Sequence, residues 1–152
     1  MKKLRVYADT SVFGGVFDEE FEQASRSFFA SVEQGRFRLV VSALAAEELL
    51  GAPLHVRALF DAMPAGQLEY HAITPAMEEL RDAYLRAEVL PPGSEADALH
   101  VAAATVLDAD LIVSWNFRHI VNFERIRGFN AVNRLNGYKS IEIYSPLEVV
   151  GS

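Results

Sequence analysis

Cysteine is absent from the 152 residues, which excludes disulfides and thiolate metal sites and leaves oxygen and imidazole as the only side-chain ligands for a metal. A cation held by oxygen alone is a hard one. No apolar run approaches the roughly 20 residues that cross a bilayer, and the amino terminus lacks the apolar core of a secretory leader. The expectation is a cytoplasmic protein with no membrane partner. Positive charge is also scarce: 14 Lys and Arg against 21 Asp and Glu leave a net charge of −7. That balance argues against a general nucleic-acid coat, because phosphate binding draws its affinity from clustered Lys and Arg. A local carboxylate cluster neutralised by a divalent cation accounts for the same excess, and composition leaves both explanations open. No repeat, low-complexity tract or linker divides the chain, so residues 1–152 are expected to form a single domain.

What the chain does contain is an alternation of short β-branched runs with helical spacings. Val6 and Ala8 alternate against Arg5 and Tyr7, predicting a strand over 4–8 closed by Asp9, Thr10 and Ser11. Phe21, Ala24, Phe28 and Val32 share one helical face over 19–34, and Gly35 stops that helix. A second strand runs from Phe37 to Val41, Ser42 caps a helix through about Leu50, and Pro53 opens another to about Ala62. Leu68 to Ile73 reads as a third strand, and Thr74-Pro75 starts a helix that keeps its spacing until Pro91-Pro92-Gly93. Ala98, Val101, Ala102, Thr105 and Val106 then mark a helix capped by Ser94. Leu111 to Val113 is a strand suited to burial on both faces, and Ser114, Asn116, Arg118, His119 and Asn122 crowd its end. Residues 123–136 are weakly helical, and a last strand, Ile141 to Tyr144, ends at Pro146. Strands alternating with helices predict an α/β fold, a three-layer α/β/α sandwich around a parallel sheet of four to five strands. Ligands of such sheets collect beyond the carboxyl ends of the strands, where Asp9 and the Ser114–Asn116 cluster fall.

Each acid has an ordinary explanation when taken alone. Asp9 suits a turn or a helix cap, and Glu48 suits a solvated pair with Glu47. Ser94-x-x-Asp97 matches a capping box, and Asn116 suits a left-handed turn. His100 and His119 lack a helical i+4 histidine partner and read as hydrogen-bonded core or rim residues rather than metal ligands. Trp115, directly after a buried strand, reads as core. The ordinary explanations weaken together, because independent accidents would have to bring several oxygen ligands to compatible positions.

The stretches YADTS at 7–11, VSALAAEELLG at 41–51, EADALHVAAA at 95–104 and DLIVSWNFRHIVN at 110–122 resemble, in order and spacing, the motifs of PIN-domain nucleases, including the VapC-type toxins of bacterial toxin–antitoxin pairs. The resemblance spans essentially the whole chain. It implies a metal-dependent ribonuclease in which Asp9, Glu48 and Asp97 hold Mg2+, with Mn2+ as a substitute, and Asn116 completes the catalytic set. Glu48 matches the family's position better than Glu47, given its spacing from Ser42. Three converging carboxylates repel one another until a divalent cation relieves them, and Mg2+ accepts oxygen ligands and a substrate phosphate together. Asn116 stands where the fuller family pattern has aspartate, and it brings no charge. Substrate contacts are expected from Thr10, Ser11, Ser114, Arg118 and His119. The resemblance further implies RNA as substrate, an antitoxin protein as partner and a homodimer built on helices. The alternative is a PIN-fold binding or regulatory module with weak or lost catalysis, which Asn116 and the acidity favour.

Overall fold

Val6, Ala8, Leu39, Val41, Leu111 and Val113 turn to one side of a sheet, and Tyr7, Val40, Ile112 and Ile143 to the other. The central strands are therefore buried on both faces, as their unbroken apolar character requires. The structure is a computed structural model and describes residues 2–150. Its strands are β1 (Leu4–Ala8), β2 (Phe37–Ser42), β3 (Leu68–His71), β4 (Leu111–Val113) and β5 (Glu142–Tyr144). They form one five-stranded sheet in the order β3-β2-β1-β4-β5, and every pairing is parallel. The expected α/β/α sandwich with a central parallel sheet is what the chain forms.

One layer consists of α5 (Pro75–Arg86), α6 (Glu95–Val106) and α7 (Phe123–Leu135), which supply Met77, Tyr84, Val101 and Phe129 to the Tyr7 face. The other is built from α1 (Thr10–Gly15), α2 (Glu22–Glu33), α3 (Ala43–Leu50) and α4 (Leu54–Asp61), with α8 (Pro146–Val149) beside α2. Among the described residues no helix is long and apolar enough to cross a membrane. Sequence order runs outward from β1 through β2 to β3 and then resumes on the other side of β1 at β4. Strand order thus reverses between β1 and β4, and their carboxyl ends are the place where ligands of such sheets collect.

Several local expectations are corrected. Thr10 and Ser11 do not merely close the first strand; they begin α1, whose weak helix formers are held by the burial of Val12 and Phe13. The third strand ends at His71 rather than Ile73, and α5 ends at Arg86, well before the proline pair. Glu88, at φ 59°, turns the chain out of the helix direction there. Pro146 ends no strand but opens α8, where Ser145 and Glu148 form a capping box.

Glu69 ties the edge of the sheet to its centre. It receives Arg5 through both carboxylate oxygens at 2.9 Å, Arg38 at 2.9 Å and His71 at 3.0 Å. The Arg5 hydrogen bonds outweigh burial and, with His71 and Arg38, hold the Glu69 carboxyl down at about 2. Arg5 also donates to the carbonyls of Leu107 and Asp108, at the negative end of α6. Glu69→Gln is expected to lower the melting temperature by about 3–6 °C at pH 7, on the order of 1–2 kcal/mol for a partly exposed network. A carboxyl depressed in the folded state stabilises above its ordinary value of 4.5, and that stability drains away as pH falls towards 2. Urea midpoints of the two proteins should accordingly converge between pH 4.5 and pH 2, and a constant gap would disprove the ionic origin.

Candidate functional site

Asp9 leaves the end of β1 at the N-cap position of α1, yet its side chain caps nothing. Its two oxygens instead accept the hydroxyls of Ser11 at 2.6 Å and Ser114 at 2.8 Å. Ser11 Oγ in turn accepts the N–H of Trp115, and Ser114 Oγ accepts that of Asn116, both at 2.9 Å. The carboxyl ends of β1 and β4 are thus laced together through Asp9. The residue is only 4% exposed. Burial pushes its carboxyl above the usual range against the pull of His100, Ser11 and Ser114, and the charge of Asp97 adds to the rise.

Glu48 reaches the same end of the sheet from α3, half-buried, while its neighbour Glu47 is exposed. One oxygen, Oε1, accepts both the Thr10 hydroxyl and His100 Nε2–H at 2.6 Å. Burial pushes Glu48 up, but the His100 hydrogen bond and attraction, joined by Thr10, hold it below its ordinary value. The segment 40–43 explains how Glu48 arrives there. Ser42 occupies the N-cap position of α3 without capping it, and its hydroxyl bonds the buried Tyr7 hydroxyl at 2.9 Å.

Asp97 lies in the first turn of α6. The expected capping box with Ser94 does not form, and Ser94 makes no side-chain cap. Asp97 Oδ2 meets His119 Nδ1 at 2.8 Å instead, so its carboxylate turns towards the loop after β4. Neither Ser42 nor Ser94 caps its helix as expected; for Ser42 the reason is a better partner across the fold, the Tyr7 hydroxyl. Asn116 shapes that loop. Its Oδ1 accepts the N–H of His119 at 3.0 Å, and its carbonyl accepts those of Ile120 and Val121. The amide oxygen of this residue, expected in the catalytic set, is therefore engaged in the turn. Arg118 projects from the same loop and is exposed.

The structure thus joins Asp9, Ser11, Ser114, Asn116, His119 and Asp97 in one hydrogen-bonded network at the carboxyl edge of β1 and β4, and Glu48 with Thr10 in a second, the two meeting where Thr10 follows Asp9 in the chain. The hydroxyls of Thr10, Ser11 and Ser114 are spent on Glu48 and Asp9 rather than left open. His100 is the hydrogen-bonded core histidine the sequence suggested, and its bond to Glu48 adds a connection that only its position one turn after Asp97 on α6 could have signalled. Trp115 stays outside. It is buried, stacks on Phe21 at 4.2 Å and donates from Nε1 to Ser25 at 2.7 Å.

Gly15 makes this last arrangement possible, since a Cβ there would lie 2.5 Å from Ser25 Oγ and 2.7 Å from Trp115 Nε1. Gly15→Ala is expected to cost about 1–3 kcal/mol through that overlap. It should also shift the fluorescence of the single tryptophan. An unchanged spectrum with unchanged stability would contradict the close approach.

The donor set suits a hard cation: three carboxylates with an apolar floor and no thiolate, one of them carrying a desolvation cost that positive charge would relieve. As placed, among the described residues no three acidic or imidazole side chains surround a single point closely enough to hold a metal ion. The acids stand in their own hydrogen bonds, with Glu48 Oε2 and Asp97 Oδ1 outside the bonds described above. Comparison of the chain with family models and with curated proteins finds no match.

Proposed function

We propose that this chain is a Mg2+- or Mn2+-dependent ribonuclease of PIN type, hydrolysing RNA phosphodiester bonds. The observation that carries the reading is the buried Asp9 carboxylate at the carboxyl end of β1, held by two hydroxyls and raised by the charge of Asp97, beside the reversal of strand order. Ordinary surface acids do not bury a carboxylate at 4% exposure and then surround it with hydroxyl donors. The resemblance of the four sequence stretches supports the same assignment.

In this reading Asp9, Glu48 and Asp97 hold the cation. When bound, it supplies Lewis-acid activation of water and neutralises charge on the phosphoryl group. Ser11 and Ser114 fix the plane of the Asp9 carboxylate, and Thr10 and His100 fix Glu48. His119 steadies Asp97, and Arg118 beside it offers a phosphate a charge-assisted contact at the rim. Asn116 keeps the loop in shape. The net charge of −7 restricts the substrate to what such a small basic rim holds, so binding should be salt-sensitive and specific rather than broad.

The resemblance extends the proposal to a cytoplasmic toxin, homodimeric and silenced by a protein antitoxin seated in its cleft. Calorimetric titration with Mn2+, together with incubation of a labelled RNA pool with and without chelator, tests the enzymatic core. Chelator-sensitive cleavage is expected. Absence of both Mn2+ binding and cleavage would replace this reading with the non-catalytic binding module.

A further inference from the structure

His100 is the one buried histidine of the chain's described residues that bonds at both ring nitrogens, and what it bonds is informative. Nε2 lies 2.6 Å from Glu48 Oε1, and Nδ1 lies 2.7 Å from the Tyr7 hydroxyl, which reaches Ser42 Oγ at 2.9 Å. Tyr7, Ser42 and His100 are at most 2% exposed. The result is a buried line from Ser42 on β2 through Tyr7 on β1 and His100 on α6 to Glu48 on α3, closed by Thr10 on α1. A hydroxyl pair can turn. With Nδ1 bare, Tyr7 donates to it and accepts from Ser42; with Nδ1 protonated, Tyr7 accepts and donates to Ser42. Nε2–H is aimed at Glu48 in both arrangements.

We infer that His100 is a positioning residue for Glu48, spending Oε1 on the protein interior so that Oε2 faces the cation. This rests on the metal-site reading above and adds a specific device to it. A glutamate on a short helix has three side-chain torsions to fix before it can serve as a ligand, and ordering them costs entropy at the moment of binding. Two donors on one oxygen fix them beforehand. His100 also shares a face of α6 with Asp97, three residues earlier, so the helix that delivers one ligand sets the direction of another. Outer groups that orient a ligand in this way alter metal affinity by about 10–100-fold when removed.

The test separates reach from bulk. In His100→Gln the amide nitrogen extends to the place of Nε2 and can still donate to Glu48, whereas in His100→Asn it extends only to the place of Nδ1 and meets Tyr7. Mn2+ titrations at pH 7 are compared for wild type, both variants and Thr10→Val, which removes the second donor without touching the core. The inference expects His100→Asn to weaken Mn2+ binding about 10–100-fold. It expects Thr10→Val to weaken it about tenfold, by the loss of one charge-assisted hydrogen bond, and His100→Gln to stay close to wild type. Melting curves without metal report folding separately, and if His100→Asn fails to fold, the ratio between Thr10→Val and wild type decides. Equal affinities across all folded variants, with wild type binding Mn2+, would overturn the positioning role alone. A wild type that binds no Mn2+ would overturn the metal site itself, and this role with it.

Discussion

Replacing Asp9 by Asn should abolish RNA cleavage and, without metal, make the protein more stable. The two effects have one origin. Asp9 is 4% exposed, and its carboxyl is raised chiefly by burial, so the folded protein carries a desolvated charge that its hydroxyl partners only partly offset. Asparagine keeps the shape and an acceptor oxygen but removes the charge. With chelator present at pH 7, the melting temperature should rise by about 2–4 °C, on the order of 1 kcal/mol. The sign with pH follows from the direction of the shift. A carboxyl raised in the folded state costs nothing below its unfolded value, and the cost appears as pH climbs through that value to the raised one. The stability gap between variant and wild type should therefore close in acid. Saturating Mn2+ should reverse the order, because only the wild type gains binding free energy. Loss of the charge at the cation should lower the cleavage rate by about a thousandfold or more, roughly 4 kcal/mol. Cleavage that survives Asp9→Asn unchanged would end the metal reading, and a variant less stable than wild type in chelator would refute the burial cost.

How far the sequence carried this depends on where the information lies. The strands were legible because β1, β2 and β4 are short, rich in branched residues and buried on both faces, so no amphipathic period confuses them. Helix α1 was not legible. Thr-Ser-Val-Phe-Gly-Gly has poor helix propensity and is held by Val12 and Phe13 in the core, a tertiary effect that local spacing does not contain. Helix α8 is legible in principle, since Ser145-Pro146 and Glu148 form both a capping box and a proline start, but a proline directly after a strand reads equally as its end. At the site, the acids stand out as residue types, while their partners do not. Tyr7 and His100 are separated by 93 positions, and Asp9 and Ser114 by 105. Nothing local distinguishes the hydroxyl that caps a helix from the one that crosses the fold. Asp97 is the clearest instance, since its spacing from Ser94 predicts a cap and its bond to His119 shows another use.

Asn116 offers the second large effect, in the opposite direction from Asp9. Its Oδ1 accepts the backbone N–H of His119, a turn bond that an aspartate oxygen makes equally well. The conversion Asn116→Asp should therefore leave the loop intact, because Ile120 and Val121 are held by the main-chain carbonyl rather than the side chain. What it adds is a fourth negative charge in a loop already bonded to Asp97 through His119. A unit charge about 5 Å from a divalent cation contributes roughly 2 kcal/mol even in a water-like dielectric, and more where water is partly excluded. Mn2+ should accordingly bind about thirtyfold more tightly, and cleavage should persist at magnesium concentrations too low for wild type. The same charge works against the metal-free fold, where it joins a network that already holds Asp9, raised by burial and by Asp97. Chelated Asn116→Asp should melt below wild type by about 2–4 °C, and Mn2+ should more than restore it. Unchanged Mn2+ affinity in a folded variant would place the metal away from this loop.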